Sequence, residues 1–203
     1  MEHSENNVLI RGELMASPSF SHENHYKRFF RFELAVARLS GAVDILPVVA
    51  DEQLLANITA CAGEILEIQG QIRSHNLREN GTRRLLIFVF AGSIISADGP
   101  PINEVTLQGP LCREPNLRRT PLGREICDAM LAVPRAFRRA DYLPCILWGR
   151  TAQQVAGCHT GDFICIKGRL QSRIYTKQTE EGSEKRTAYE ISALTAEILE
   201  DPI

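Results

Sequence analysis

None of the six cysteines, Cys61, Cys112, Cys127, Cys145, Cys158 and Cys165, stands in a C-x-x-C pair, so neither a zinc knuckle nor a paired redox thiol is suggested. In a reducing compartment they read as small buried hydrophobes rather than a disulfide frame. No apolar run approaches the roughly 20 residues of a membrane span, and Met1 to Ile10 lacks the basic-then-apolar order of a signal peptide. A cytosolic protein without a membrane partner is therefore expected, and no metal or cofactor. Aromatic side chains are scarce, 6% of the chain with a single tryptophan, so the positions they occupy carry information. The 203 residues, 44% of them hydrophobic, suffice for one large core or two small ones.

Net charge is nearly absent too, a formal −2, but the balance conceals an asymmetry. Arg113 to Arg173 holds eleven Arg and Lys against five Asp and Glu, whereas Met1 to Asp98 holds nine against twelve. Positive charge gathers in one region. A nucleic-acid partner would suit that region, a solvated mixed face being the bland alternative.

What the chain does have is an internal repeat. An offset of 97 sets Gly12 on Gly109, Val8 on Val105, Pro18 on Pro115, Leu34-Ala35-Val36 on Leu131-Ala132-Val133, and Asp44 on Asp141. After one inserted residue, Gly63 meets Gly161, Gly70 meets Gly168 and Ser74 meets Ser172. Two copies of one domain follow, residues 1–98 and 99–203, with Ala97-Asp98-Gly99-Pro100-Pro101 as linker because Gly and paired Pro stop strands and helices alike.

Each copy reads as five strands. The first is Asn7 to Leu14 or Glu104 to Leu111; the second, Phe29 to Arg38 or Ile126 to Arg135; the third, Ile45 to Ala50 or Tyr142 to Trp148. A short helix follows, Glu52 to Ala62 or Thr151 to His159. A hairpin closes the copy, Ile65 to His75 with Leu85 to Ile94 or Phe163 to Tyr175 with Thr187 to Leu199, its loops holding Asn80-Gly81 and Glu181-Gly182-Ser183. An all-β chain of two tandem five-stranded OB-fold barrels, each with its helix between strands three and four, is the expected fold.

Within the third strand of the second copy, alternation puts Leu143, Cys145 and Leu147 on a core face, and Tyr142, Pro144, Ile146 and Trp148 on the other. Aromatics on an open strand face among arginines suit stacking of unpaired bases. The cations point the same way: Arg118, Arg119, Arg150, Lys167, Arg169 and Arg173 fall opposite Ser21, His22, Gln53, Gln69, Gln71 and His75, none a fixed positive charge. Lys167, Arg169, Gln171, Arg173 and Tyr175 alternate along one strand face as a basic strip.

Asn103 to Gly109, Glu114-Pro115, Arg118 to Gly123, Leu131-Ala132-Val133, Trp148 to Ala152 and Gly168 to Arg173 resemble the bacterial single-stranded DNA-binding protein (SSB) family, in its order, over Asn103 to about Leu199. The first copy joins through the repeat and Leu34-Ala35-Val36, but reads Glu23-Asn24-His25-Tyr26 where the second reads Thr120-Pro121-Leu122-Gly123. The whole chain resembles the tandem SSBs with two OB domains per polypeptide. The resemblance implies base stacking at Phe137, Tyr142, Trp148 and Tyr175. It implies binding of single-stranded DNA in replication, recombination or repair, and a homodimer with four OB domains. In the first copy those aromatic positions fall on Ser40, Ile45, Asp51 and Leu77, so its binding face is expected to be degenerate. An unpaired core carboxylate is costly, so Asp51 argues that the Trp148 position faces outward. Family members recruit partners through an acidic tip ending in phenylalanine. Glu200-Asp201-Pro202-Ile203 keeps little of it, leaving recruitment of replication or repair proteins in doubt.

Two other classes compete. A metal-assisted nuclease needs convergent carboxylates; Asp128, Asp141 and Asp162 lie on separate segments, and Asp141, shared with Asp44, reads as a turn residue, so no enzyme and no catalytic residue is expected. An accessory primosomal or replisome OB module with weak nucleic-acid binding is the alternative, and the first copy suits it. Arg83 and Arg84 offer that copy a binding route of its own.

Overall fold

The structure, a computed structural model, describes residues 5–79, 82–179 and 182–200. The first copy forms β1 (Asn6–Leu14), β2 (Ser19–Asn24), β3 (Lys27–Ala37), β4 (Val43–Asp51), β5 (Ile65–Glu79) and β6 (Thr82–Ser96), with α1 (Glu52–Leu55) after β4. The second forms β7 (Ile102–Pro110), β8 (Asn116–Arg119), β9 (Glu125–Arg135), β10 (Arg139–Trp148), β11 (Phe163–Thr179) and β12 (Gly182–Leu199), with α2 (Gly149–Val155) after β10. Asn80-Gly81 and Glu181 of the expected turns, and Asp201 to Ile203 of the tail, lie outside the described residues.

The strand order, β2-β3-β4-β6-β5-β1-β7-β11-β12-β10-β9-β8, is a palindrome of the repeat. Each half coils into an OB barrel. In the first, β1 also pairs with β3, at Glu13 with Ala35 and Leu14 with Leu34, and β4 runs parallel to β6. In the second, Leu111 bridges Leu131 and β10 runs parallel to β12. Period-two alternation fills both interiors: Ile10, Leu34, Leu46 and Ile68 are fully buried in one, Leu107, Leu131, Leu143 and Leu147 in the other.

β2 and β8 carry no such signal, because every residue of both is exposed. That is why five strands per copy are read from the sequence where six form. α1 is also shorter than its expected span. Asp51 caps it, accepting from the Gln53 amide at 3.0 Å, but Asn57, Ile58 and Thr59 are weak helix formers and the chain turns away after Leu55. α2 starts at Gly149 and ends at Val155, ahead of the expected His159.

The first strands of the two copies would be open edges if each copy stood alone, and they close on one another. β1 and β7 pair with each other, antiparallel, from Asn6 with Leu107 to Arg11 with Ile102. Val8 and Val105 stand opposite in that ladder, and the apolar rows of both barrels meet there. The unpaired backbone groups that an edge presents are satisfied inside one chain.

Asp44 and Asp141 are not turn residues either. Asp44, fully buried, accepts from the Ser172 amide of the other copy at 2.7 Å and forms a two-pronged pair with Arg38 at 2.5 and 2.6 Å. Asp141 mirrors it, accepting from the Ser74 amide at 2.7 Å, from Arg73 at 3.1 Å and from Arg135 at 3.3 Å. Each copy thus holds a carboxylate that ties down the hairpin of the other. Burial pushes the Asp44 carboxyl up, yet hydrogen bonds from Arg38 and Ser172 outweigh it and hold the group below the ordinary carboxylate range.

Candidate nucleic-acid interface

The outer face of β10 is built as its alternation requires. Leu143, Cys145 and Leu147 point into the core, while Tyr142 and Trp148 are 45% and 39% exposed. Ile146 departs from the expectation: it is buried, so the open part of the strand lies at its two ends. Ladder pairing sets Trp148 beside Ile126, and Ile126 beside Arg118. Tyr142 stands beside Ala132, and its amide donates to the Ser74 Oγ of the first copy at 2.8 Å.

Arg118 and Arg119 come with counter-charges. Arg118 forks onto Asp128, one strand away. Arg119 donates to Glu125 at 3.0 Å. Hydrogen bonds from Gln153 and then Arg119 hold the Glu125 carboxyl below its usual range. Arg150 is exposed at the start of α2, with no ion pair among the described residues.

The basic strip on β11 is less uniform than alternation suggests. Arg173 is exposed, 5.7 Å from the Tyr175 ring centre and 3.7 Å from the Glu190 carboxylate. Tyr175 is 37% exposed. Gln171, between them and Arg169, is buried and donates to Glu190 at 2.8 Å. Lys167 lies where β11 pairs with β7, opposite Thr106, on the central sheet rather than beside β10. Arg169 turns to the junction of the copies, in a hollow of about 350 Å3 with Asn103 and Ser40, and its Nε is buried with no hydrogen-bond partner among the described residues.

Phe137 is 94% exposed at the tip joining β9 to β10. Its φ of 61°, followed by 56° at Arg138, puts two side-chain-bearing residues in the left-handed region that glycine and asparagine favour. The tip is the far end of β10 from Trp148, roughly 35 Å away at 3.3 Å per residue. Trp148 and Arg118 therefore form one patch, Tyr175 and Arg173 a second on the adjoining hairpin, and Tyr142 and Phe137 lie toward the other end.

Glu190 escaped the sequence reading. It is a buried carboxylate on the outer face between Gln171 and Arg173, with a field that also reaches Arg118. The only signal was its place opposite Gln171 in the hairpin, which becomes visible once the register is known.

Comparison with known proteins agrees with this architecture. The profile of the Single-strand binding protein family matches residues 102–199. Single-stranded DNA-binding protein B of Bacillus subtilis (strain 168) is 34% identical over 108 residues, 50% of this chain and 87% of that protein. The chain belongs to the single-strand binding protein family. Single-stranded DNA-binding protein 1 of Lactococcus lactis subsp. lactis is 37% identical over 106 residues, 49% of this chain and 69% of that protein. For the Bacillus cereus relative, 36% identical, the match spans 61% of the relative's length. The wild-type single-stranded DNA binding protein from Thermus aquaticus superposes on the whole chain with a TM-score of 0.80 at 22% identity, covering 99% of this chain and 96% of that one. The sequence likeness to the family thus sits in the second copy, whereas the likeness of fold extends over both.

Proposed function

We propose that the chain binds single-stranded DNA largely without regard to sequence, serving replication, recombination or repair, and does no chemistry. The observation that carries the reading is the exposed Trp148, in register with Arg118 across the intervening strand β9, on the outer face of a barrel of this family. Bases stack on Trp148, Tyr142, Tyr175 and Phe137, while Arg118, Arg119, Arg150 and Arg173 track phosphates. Lys167 and Arg169 stand outside that cluster and, in this reading, meet only a strand that travels on to the central sheet and the junction.

Several observations support the absence of chemistry. Asp128 is engaged by Arg118, Asp141 is sealed between the copies, and Asp162 accepts from the His159 amide at 2.8 Å. Three carboxylates held by three different partners do not converge on one cation. No helix among the described residues is long and apolar enough to cross a membrane, and a cytoplasmic setting is part of the proposal.

Residues 1–98 and 99–203 are proposed as the two domains, and two chains as the assembly that gathers four OB folds. With β1 and β7 paired to each other, the surface proposed for a second chain is the outer face of the central sheet. Leu9 is half-buried there, and Ile95 is exposed.

Titration of the full chain with oligo-dT at two salt concentrations tests the proposal. Binding that quenches Trp148 and weakens with salt supports it; no quenching at low salt rejects it.

A further inference from the structure

The junction of the copies holds a cation for which its surroundings supply no counter-charge. The hollow of about 350 Å3 there is walled by Ala37, Arg38, Leu39 and Ser40, where β3 of the first copy turns toward β4, and by Asn103 and Arg169 from β7 and β11 of the second. Among the described residues, no carboxylate lines it. Arg169 is partly buried in this hollow, and its Nε wholly so.

The repeat shows why this guanidinium is left over. In the first copy the hairpin reads Gln71-Ile72-Arg73, and Arg73 donates to the Gln71 side-chain oxygen and, at 3.1 Å, to Asp141. In the second copy the two polar residues have changed places, giving Arg169-Leu170-Gln171. Gln171 donates to Glu190 at 2.8 Å, so the cation and the amide no longer serve each other. The other acceptors around Arg169 are engaged as well. Asp44 takes Arg38 and the Ser172 amide, Glu190 stands 3.7 Å from Arg173, and Asn103 closes on the Leu170 backbone, accepting at 2.9 Å and donating at 2.7 Å. Among the described residues Arg169 has no ion pair and its Nε no acceptor.

A buried N–H without an acceptor costs free energy that an anion from solution recovers. A guanidinium presents its N–H groups as a planar fork that fits two oxygens of one oxyanion. Ser40, on the wall contributed by the other copy, adds a hydroxyl donor. A carboxylate spends both its oxygens on the fork, whereas a tetrahedral phosphate keeps two more for the second wall.

We infer that the hollow binds a free phosphate-type oxyanion, held by Arg169 and Ser40, that clamps the turn after β3 of the first copy onto β11 of the second. The site is separate from the stacking face of β10 and does not rest on the single-strand reading.

The test follows orthophosphate binding to the full chain, to Arg169→Gln and to Ser40→Ala, with ionic strength held constant by chloride. Arg169→Gln carries the residue that the first copy has at this position, and Ser40 is exposed on a turn, so both variants keep the fold. Calorimetric titration should find one site per native chain and none in Arg169→Gln. Ser40→Ala should bind roughly 10-fold more weakly, the loss of one hydrogen bond to a charged group. At about ten times its Kd, orthophosphate should raise the Tm of the native chain by roughly 3–6 °C more than that of Arg169→Gln. Phosphate also stabilises proteins by exclusion from their surface, and the comparison cancels that part because both proteins share it. Saturating oligo-dT should leave orthophosphate bound. Equal Tm shifts in the two proteins, heats of binding that survive in Arg169→Gln, or displacement of orthophosphate by oligo-dT would each overturn the inference. Undiminished binding by Ser40→Ala would remove the turn from the site and with it the clamp.

Discussion

At the scale of single residues, Trp148 and Glu190 pull binding in opposite directions. Stacking one base is worth roughly 1–3 kcal/mol, so Trp148→Ala should weaken single-strand binding by about 5- to 150-fold. Its exposed ring should leave thermal stability nearly unchanged, and calorimetry beside a DNA titration checks both halves. Glu190 is buried, hydrogen-bonded to Gln171 and 3.7 Å from Arg173. Glu190→Gln keeps an acceptor for Gln171 and removes a negative charge from the face, so binding should tighten several-fold at low salt and the salt slope should steepen. Weaker binding would mean that Glu190 holds Arg173 in its binding posture. The sequence made Trp148 legible because its repeat partner is Asp51, a residue no core position accepts unpaired. It did not make Glu190 legible, because a lone acid in a strand looks the same whether it faces bulk water or sits buried between Gln171 and Arg173.

At the scale of elements, alternation decides what can be read. β3, β4, β9 and β10 alternate between core and surface, and their spans follow the expectation within a few residues. β2 and β8 pair with β3 and β9 without burying anything, so only the register discloses them. The repeated glycines are legible as repeats, but their reason is visible only in the ladder. A Cβ on Gly168 would come within 2.2 Å of the Ser192 carbonyl oxygen, and one on Gly70 within 2.2 Å of that of Phe90. Both stand where the hairpin ladder shifts register, between Lys167 and Gly168 and between Gln69 and Gly70. The obstacle is backbone, not a side chain that can swing aside. Gly168→Ala should therefore cost about 3 kcal/mol or more, at or above the upper range for overpacking. Its counterpart Gly70→Ala should cost a similar amount, and denaturant unfolding of the two variants compares them. Losses under 1 kcal/mol at both would show that the ladder shifts to make room.

At the scale of the whole molecule, the repeat was legible and the partnership of its halves was not. Nothing in the spacing of Val8 and Val105 says whether their strands pair within one chain or between two; that is decided by a junction the sequence reaches only through the short Ala97 to Pro101 segment. The mass in solution separates the proposed assembly from a lone chain: light scattering near twice 22.7 kDa supports two chains, and a value near 22.7 kDa rejects them. The junction has a signature of its own. Asp44 is buried, paired with Arg38 and bonded to the Ser172 amide across the copies, so Asp44→Asn leaves Arg38 without its counter-charge. Breaking a buried pair in this way costs about 3 kcal/mol, and in a chain of this size lowers Tm by roughly 6–12 °C. Because its carboxyl is held below the ordinary range, the stability Asp44 contributes is complete above about pH 4, the unfolded value. It is lost as pH falls through the lower folded value. The native chain should thus lose stability steeply below about pH 4, and Asp44→Asn should lose less over the same interval, since it has no such group to protonate. Urea unfolding at pH 7 and at successive acid steps measures the difference, and parallel pH curves for the two proteins would show that Asp44 does not secure the junction.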